Sequence, residues 1–157
     1  MPLTKDVDGV WTAFDTVITS ELIPAVKARY RVATEARMWA VAGISLGGEF
    51  GTHTALRHPE LFRTVVSMSG SFVARASDVA PSFDVRFPLP DPKVIARDYR
   101  LIWIGSGTED IWFNGTKAFS ERLTAAGIPH VYRDYPGTHV MPVFRQELND
   151  VLPRLFR

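Results

Sequence analysis

A serine between glycines at the junction of a strand and a helix has the setting of an enzymatic nucleophile, and Gly43-Ile44-Ser45-Leu46-Gly47 has that form. In such a turn the serine backbone is strained, and side chains at Gly43 and Gly47 are expected to collide with the neighbouring strand and helix. The strain holds the hydroxyl above the sheet. The helix that follows points its N-terminus at the site, so the Leu46 N–H is the expected donor to a developing oxyanion.

A serine hydroxyl attacks only when a histidine takes its proton, and that histidine needs a carboxylate to fix its tautomer. Four histidines are present. His53 reads as a packing or surface residue on the helix after the nucleophile, and His58, before Pro59, as a cap on that helix's carbonyls. His130 opens a strand and falls at the wrong edge of a sheet. His139, in Pro136-Gly137-Thr138-His139, follows the last strand and is the expected base. Asp110, in Gly107-Thr108-Glu109-Asp110, is the expected acid. Glu109 beside it is the alternative, and Asp134 falls within a strand, where a structural or exposed role is expected. The order serine, acid, histidine along the chain is the one a strand-turn-helix nucleophile predicts. Ile44, Glu49, Trp112 and Val140 are the expected substrate contacts beside these three. Glu49 also has a simpler role available, a favourable charge at a helix N-terminus.

The elements needed to position these groups are readable. Trp11, Phe14, Ile18, Leu22 and Val26 recur at helical spacing, with Pro24 predicting a kink. Met38–Ala42 and Phe62–Met68 read as buried strands on either side of a helix reaching about His58. Residues 71–92, with Pro81, Pro88, Pro90 and Pro92, read as an irregular, lid-like segment. Tyr99–Ile104 is a third strand, a helix from about Gly115 stops at Gly127, and His130–Tyr135 is a fourth strand. A last helix from near Pro142 is expected to bury Phe144, Leu148, Val151, Leu152 and Leu155. Alternating strands and helices with apolar strands predict one α/β domain over 1–157. The expected form is a three-layer α/β/α sandwich with a mainly parallel sheet covered on both faces. Chemistry in such sheets gathers at the carboxyl ends of the strands, where all three candidates fall.

Composition narrows the function further. The 157 residues are 46 % hydrophobic with a net charge of +1, so neither nucleic acid nor a membrane is an expected partner. The absence of cysteine removes thiolate metal sites and cysteine nucleophiles, and no metal or organic cofactor is needed by this chemistry. No stretch has the roughly 20 apolar residues that span a bilayer. Met1–Gly9 lacks the apolar run of a signal peptide, which makes a cytoplasmic location the default expectation.

The chain resembles the esterase-D-like branch of the α/β-hydrolases, the group of feruloyl esterases, enterochelin (siderophore) esterases, S-formylglutathione hydrolase and the antigen 85 mycolyltransferases. The likeness is carried by Glu21-Leu22-Ile23-Pro24 with Tyr30-Arg31, by Ala42–Gly48, and by Leu56–Phe62. Ser69-Gly70-Ser71-Phe72, Asp110 with Asn114, and Gly137-Thr138-His139 complete it. It implies hydrolysis of a small-molecule ester and favours Asp110 over Glu109. Aromatic-acid or carbohydrate esters are the expected substrates, with siderophore lactones and acyl transfer as alternatives. Val140-Met141 replace the aromatic or acidic residue usual after the histidine. The early strands of that group, which supply a second oxyanion donor, have no counterpart here. The strand ending at Ser45 is therefore expected at a sheet edge, in a truncated α/β-hydrolase fold. That outcome fits a fragment, a compact variant, a homo-oligomer covering the edge, or a binding module that has lost catalysis.

Overall fold

The computed structural model describes residues 7–72 and 89–156; most of the expected lid-like segment lies outside them. The chain opens with one long helical rod: α1 (Val7–Thr16), a π-helical stretch (Val17–Leu22) and α2 (Ile23–Arg29). Pro24 explains the middle piece. Its ring has no N–H and crowds the carbonyl four residues back. The wider turn takes up the conflict, with the Ile23 N–H bonding to the Ile18 carbonyl. The rod therefore continues, with a π-helical bulge where a kink was expected.

Four strands follow: β1 (Ala40–Ile44), β2 (Thr64–Met68), β3 (Leu101–Gly107) and β4 (Val131–Tyr135). All neighbours are parallel, in the spatial order β1-β2-β3-β4. Between them run α3 (Leu46–Arg57), α4 (Pro92–Asp98) and α5 (Phe113–Ala125), and α6 (Met141–Val151) closes the chain. Strand β1 begins two residues later than Met38, which lies in a short 3-10 turn. Trp39 is held there by its indole N–H, which donates to the Ala33 carbonyl at 2.7 Å. Helix α4 begins at Pro92, the last residue of the stretch expected to be irregular, and fills the interval before β3 for which the sequence predicted no element. Its start is ordinary, with Asp91 accepting the Lys93 N–H at 2.9 Å and Pro92 opening the first turn.

The period-2 alternation of the strands builds two cores. On one face, Val65, Ile102 and Ile104 pack with Trp11, Leu56, Ile95, Phe119 and Leu123 of the helices. On the other, Val66, Met68 and Trp103 meet Val151 of α6. Strands β2 and β3 are buried almost throughout. Strand β1 departs from the expected two-sided cover, because α6 packs on β2, β3 and β4, leaving Ala42 and Ile44 exposed on that side. It also occupies the sheet's edge, as the sequence predicts. The last helix differs as well. Leu148 and Leu152 are 41 % and 51 % exposed, and the buried face is Val143, Glu147 and Val151.

His58 ties the rod to the sheet layer. It does so by ion pairing through both ring nitrogens, where a carbonyl cap was expected: Nε2 lies 2.9 Å from Asp15 of α1, and Nδ1 lies 2.8 Å from Glu60. Burial alone would lower the imidazole pKa, but the two carboxylates outweigh it and raise it above the ordinary 6.5. A raised folded-state value favours the protonated form in the folded protein. The clamp is then complete below about pH 6.5 and is lost as pH rises through the raised value. The destabilisation caused by His58→Gln should accordingly be larger at about pH 6 than at about pH 9. Urea unfolding at both pH values checks this, and an equal or reversed difference refutes it.

Candidate active site

Ser45 sits between β1 and α3 with φ 56° and ψ −125°, a region that costs a non-glycine residue of order 1–3 kcal/mol. Its own backbone bonds hold it there. The Ser45 N–H donates to the Met68 carbonyl at 3.0 Å, and the Ser45 carbonyl accepts the N–H groups of Gly48, Glu49 and Ser71 at 2.9, 3.1 and 3.2 Å. The glycines answer different needs. A Cβ on Gly43 would stand 2.2 Å from the Gly47 carbonyl group, so the strand end and helix start are too close for any side chain. A Cβ on Gly47 meets nothing within 4 Å, against the expected collision there. The second crowded position is Gly48, where a Cβ would come 2.7 Å from the Ser67 hydroxyl oxygen.

Asp110 follows β3 with its side chain fully buried. One carboxylate oxygen accepts the Trp112 N–H at 2.8 Å and the other lies 2.7 Å from His139 Nδ1. A carboxylate can only accept, so the Nδ1 proton is the one shared and Nε2 is left as the basic nitrogen. The pair is aligned by lacing between two loops. The Thr108 and Glu109 N–H groups donate to the Tyr135 and Gly137 carbonyls at 2.8 and 3.0 Å. This approach needs glycine twice: a Cβ on Gly107 would lie 2.3 Å from the Gly137 oxygen, and Gly137 itself has φ +128°. His139 stands edge-on to Phe144, ring centres 5.0 Å apart, with its side chain 26 % exposed.

The sequence-predicted residues thus separate into groups. Asp110 and His139 are paired, and Ser45 stands on the same carboxyl edge of the sheet, two strands away. Among the described residues no hydrogen bond joins Ser45 to His139, a contact that in unliganded sites commonly closes only with substrate. Leu46 opens α3, where N–H groups have no intrahelical acceptor. Ile44, Leu46, Ile111, Val140 and Met141, each adjacent in sequence to one of the three or next to such a residue, are exposed apolar side chains. Glu109 and Asp134 are exposed. His53 packs against Trp11 at 4.7 Å, and His130 bonds to Ser120 at 2.7 Å, away from the site. Glu49 has a partner that sequence reasoning missed, the Ser71 hydroxyl at 2.6 Å. Glu147 was missed altogether, although its place midway between Val143 and Val151 on one helical face was a readable signal.

A parallel sheet carrying a strained serine after one strand and a buried acid–histidine pair after two others defines an α/β-hydrolase. Within that class the chain belongs to an esterase family: the family model described as "Putative esterase" matches residues 6–155. It is 28 % identical over 181 residues to Esterase Rv1288 of Mycobacterium tuberculosis (strain ATCC 25618 / H37Rv), an alignment covering 90 % of this chain and 40 % of that protein. Its fold is similar to that of the ferulic acid esterase AmCE1/Fae1A of Anaeromyces mucronatus, with TM-score 0.78 and 16 % identity over 93 % of this chain and 56 % of that one. It is also similar to the enterochelin esterase of Shigella flexneri, with TM-score 0.70 and 23 % identity over 99 % and 39 % of the two chains. The chain therefore spans less than two thirds of each of these proteins.

Proposed function

We propose that the chain is a serine carboxylic ester hydrolase working through an acyl-enzyme. The observation that carries this is the buried Asp110–His139 pair at the same sheet edge as a serine held at positive φ. Ser45 attacks the ester carbonyl carbon while His139 Nε2 takes its proton, and Asp110 stabilises the imidazolium. The Leu46 N–H donates to the oxyanion. The tetrahedral intermediate collapses, the alcohol leaves with the proton from His139, and water repeats the sequence on the acyl-enzyme to release the acid.

The surroundings support a substrate class. Ile44, Leu46, Ile111, Val140 and Met141 supply apolar surface and little charge, which suits an ester with an aromatic or otherwise apolar acyl group. The names of two structural relatives, one for ferulic acid and one for enterochelin, support that choice. Ile44, Trp112 and Val140 form the acyl wall, while Glu49, engaged by Ser71, serves mainly to hold the turn.

A fluorophosphonate probe followed by intact-mass measurement tests the proposal. The wild type should gain one adduct and Ser45→Ala none; a folded wild type that stays unlabelled overturns it. Feruloyl, p-nitrophenyl and lactone esters compared side by side then rank the substrate class.

A further inference from the structure

The face of α6 turned to the sheet contains a carboxylate, Glu147, that is fully buried. Its Oε1 accepts the Ser69 N–H at 3.0 Å, and the Ser69 hydroxyl lies 3.4 Å from both carboxylate oxygens. Two otherwise odd features share this contact. Ser69 has φ 45°, one of three described non-glycine residues at positive φ. Gly105 of β3 has no room for a side chain, since a Cβ there would stand 2.3 Å from the Trp103 ring and 2.7 Å from Glu147 Oε1.

The turn that Ser69 opens is pinned from every side. Its N–H is shared with the Gly105 carbonyl at 2.9 Å, and the Gly70 carbonyl accepts the Thr116 hydroxyl of α5 at 2.9 Å. The Ser71 hydroxyl donates to Glu49 of α3 at 2.6 Å. The Ser71 N–H, in turn, donates to the Ser45 carbonyl at 3.2 Å. The turn thus grips the backbone of the strained serine. Helix α6, which grips the turn, begins two residues after His139.

We propose that Glu147 is a positioning residue for the esterase reaction, fixing through the Ser69–Ser71 turn where Ser45 stands relative to His139. This rests on the triad reading given above. Glu147 touches neither substrate nor reacting atoms. Its own carboxyl feels its buried position. Burial raises its pKa to about 7, against the lowering effect of the Ser69 donors, and the nearby Asp110 charge adds to the rise. The groups facing it are Ser69 from the end of β2, Asp110 after β3, and Tyr135 of β4, whose hydroxyl is bonded to Asp150.

Glu147→Gln keeps an acceptor for the Ser69 N–H and removes the charge. As the conservative replacement it should keep both kcat and KM within about threefold of wild type. Glu147→Leu removes the acceptor and should lower kcat about tenfold or more with KM within about twofold. Thr116→Val, which frees the same turn from the α5 side, should lower kcat with KM within about twofold. A folded Glu147→Leu enzyme with kcat within about twofold of wild type overturns the proposal. If that variant does not fold, Thr116→Val decides: a kcat lowered more than about twofold with KM unchanged supports the proposal, and a kcat within about twofold of wild type overturns it. Fluorophosphonate labelling of the wild type separates the two failures, since an unlabelled wild type refutes the triad reading and not the grip of α6 on the turn.

Discussion

Asp110→Asn should lower kcat by on the order of 10⁴-fold with little change in fold or KM. The asparagine carbonyl can still accept the Trp112 N–H, which costs the loop nothing. Its amide then faces His139 Nδ1 with a donor, which drives the imidazole proton onto Nε2, the nitrogen that has to accept from Ser45. The base is present but in the wrong tautomer. Ser45→Ala and His139→Ala should lose about as much as the two together, because groups that act as one unit are not additive. Glu109→Gln is the matched control. Glu109 contributes a backbone N–H to the Gly137 carbonyl while its side chain stays exposed, so activity should be unchanged. Initial rates on a p-nitrophenyl ester across these variants decide the matter. An Asp110→Asn enzyme within about tenfold of wild type would remove Asp110 from its assigned role.

Gly43→Ala should be the most damaging small substitution in the described chain. The added methyl would lie 2.2 Å from the Gly47 carbonyl carbon and oxygen, both backbone atoms, and no rotamer can relieve it. Either β1 shifts in the sheet or the start of α3 unwinds. A loss of about 4 kcal/mol or more is expected, the size reached only by core disruption or severe strain. Gly47→Ala, four residues along in the same motif, has open space and a helical position. It should be neutral or stabilising by up to about 1 kcal/mol, since alanine is the better helix former. Urea denaturation of the two variants measures the contrast. Equal stabilities would mean that the close approach of strand and helix is not what demands glycine at 43.

Those two glycines show where sequence reasoning succeeds and where it stops. The motif placed Ser45 correctly because a strand, a sharp turn and a helix are all local, and the β1–α3 boundary fell where predicted. The assignment of a steric role to Gly47 failed, because which glycine faces a neighbour depends on the angle between β1 and α3. The meeting of Asp110 and His139 was foreseen because each follows a strand at the carboxyl edge, although the preference for Asp110 over Glu109 leaned also on the family resemblance. Helix α4 was obscured by the prolines around it, although Asp91-Pro92 is a normal helix opening. On helix α6 the expectation held for Val151 but not for Leu148 and Leu152, and it passed over Glu147 because a carboxylate reads as surface. Glu147 is inside only because it finds the Ser69 N–H, a partner 78 positions earlier in the chain. The helical period marks the face Glu147 lies on, but not the partner that lets a carboxylate stay there.

The order of the strands in the sheet has one more consequence. Each strand lies beside the one that precedes it in the chain, joined by a helical crossover. The sheet can therefore assemble one βα unit at a time, with loop closures confined to neighbouring units. Ser45 cannot hold its strained geometry after the first unit alone, because the Met68 carbonyl and the Ser71 N–H arrive only with the second. Ser45 is shaped late, by a strand and a turn that come after it.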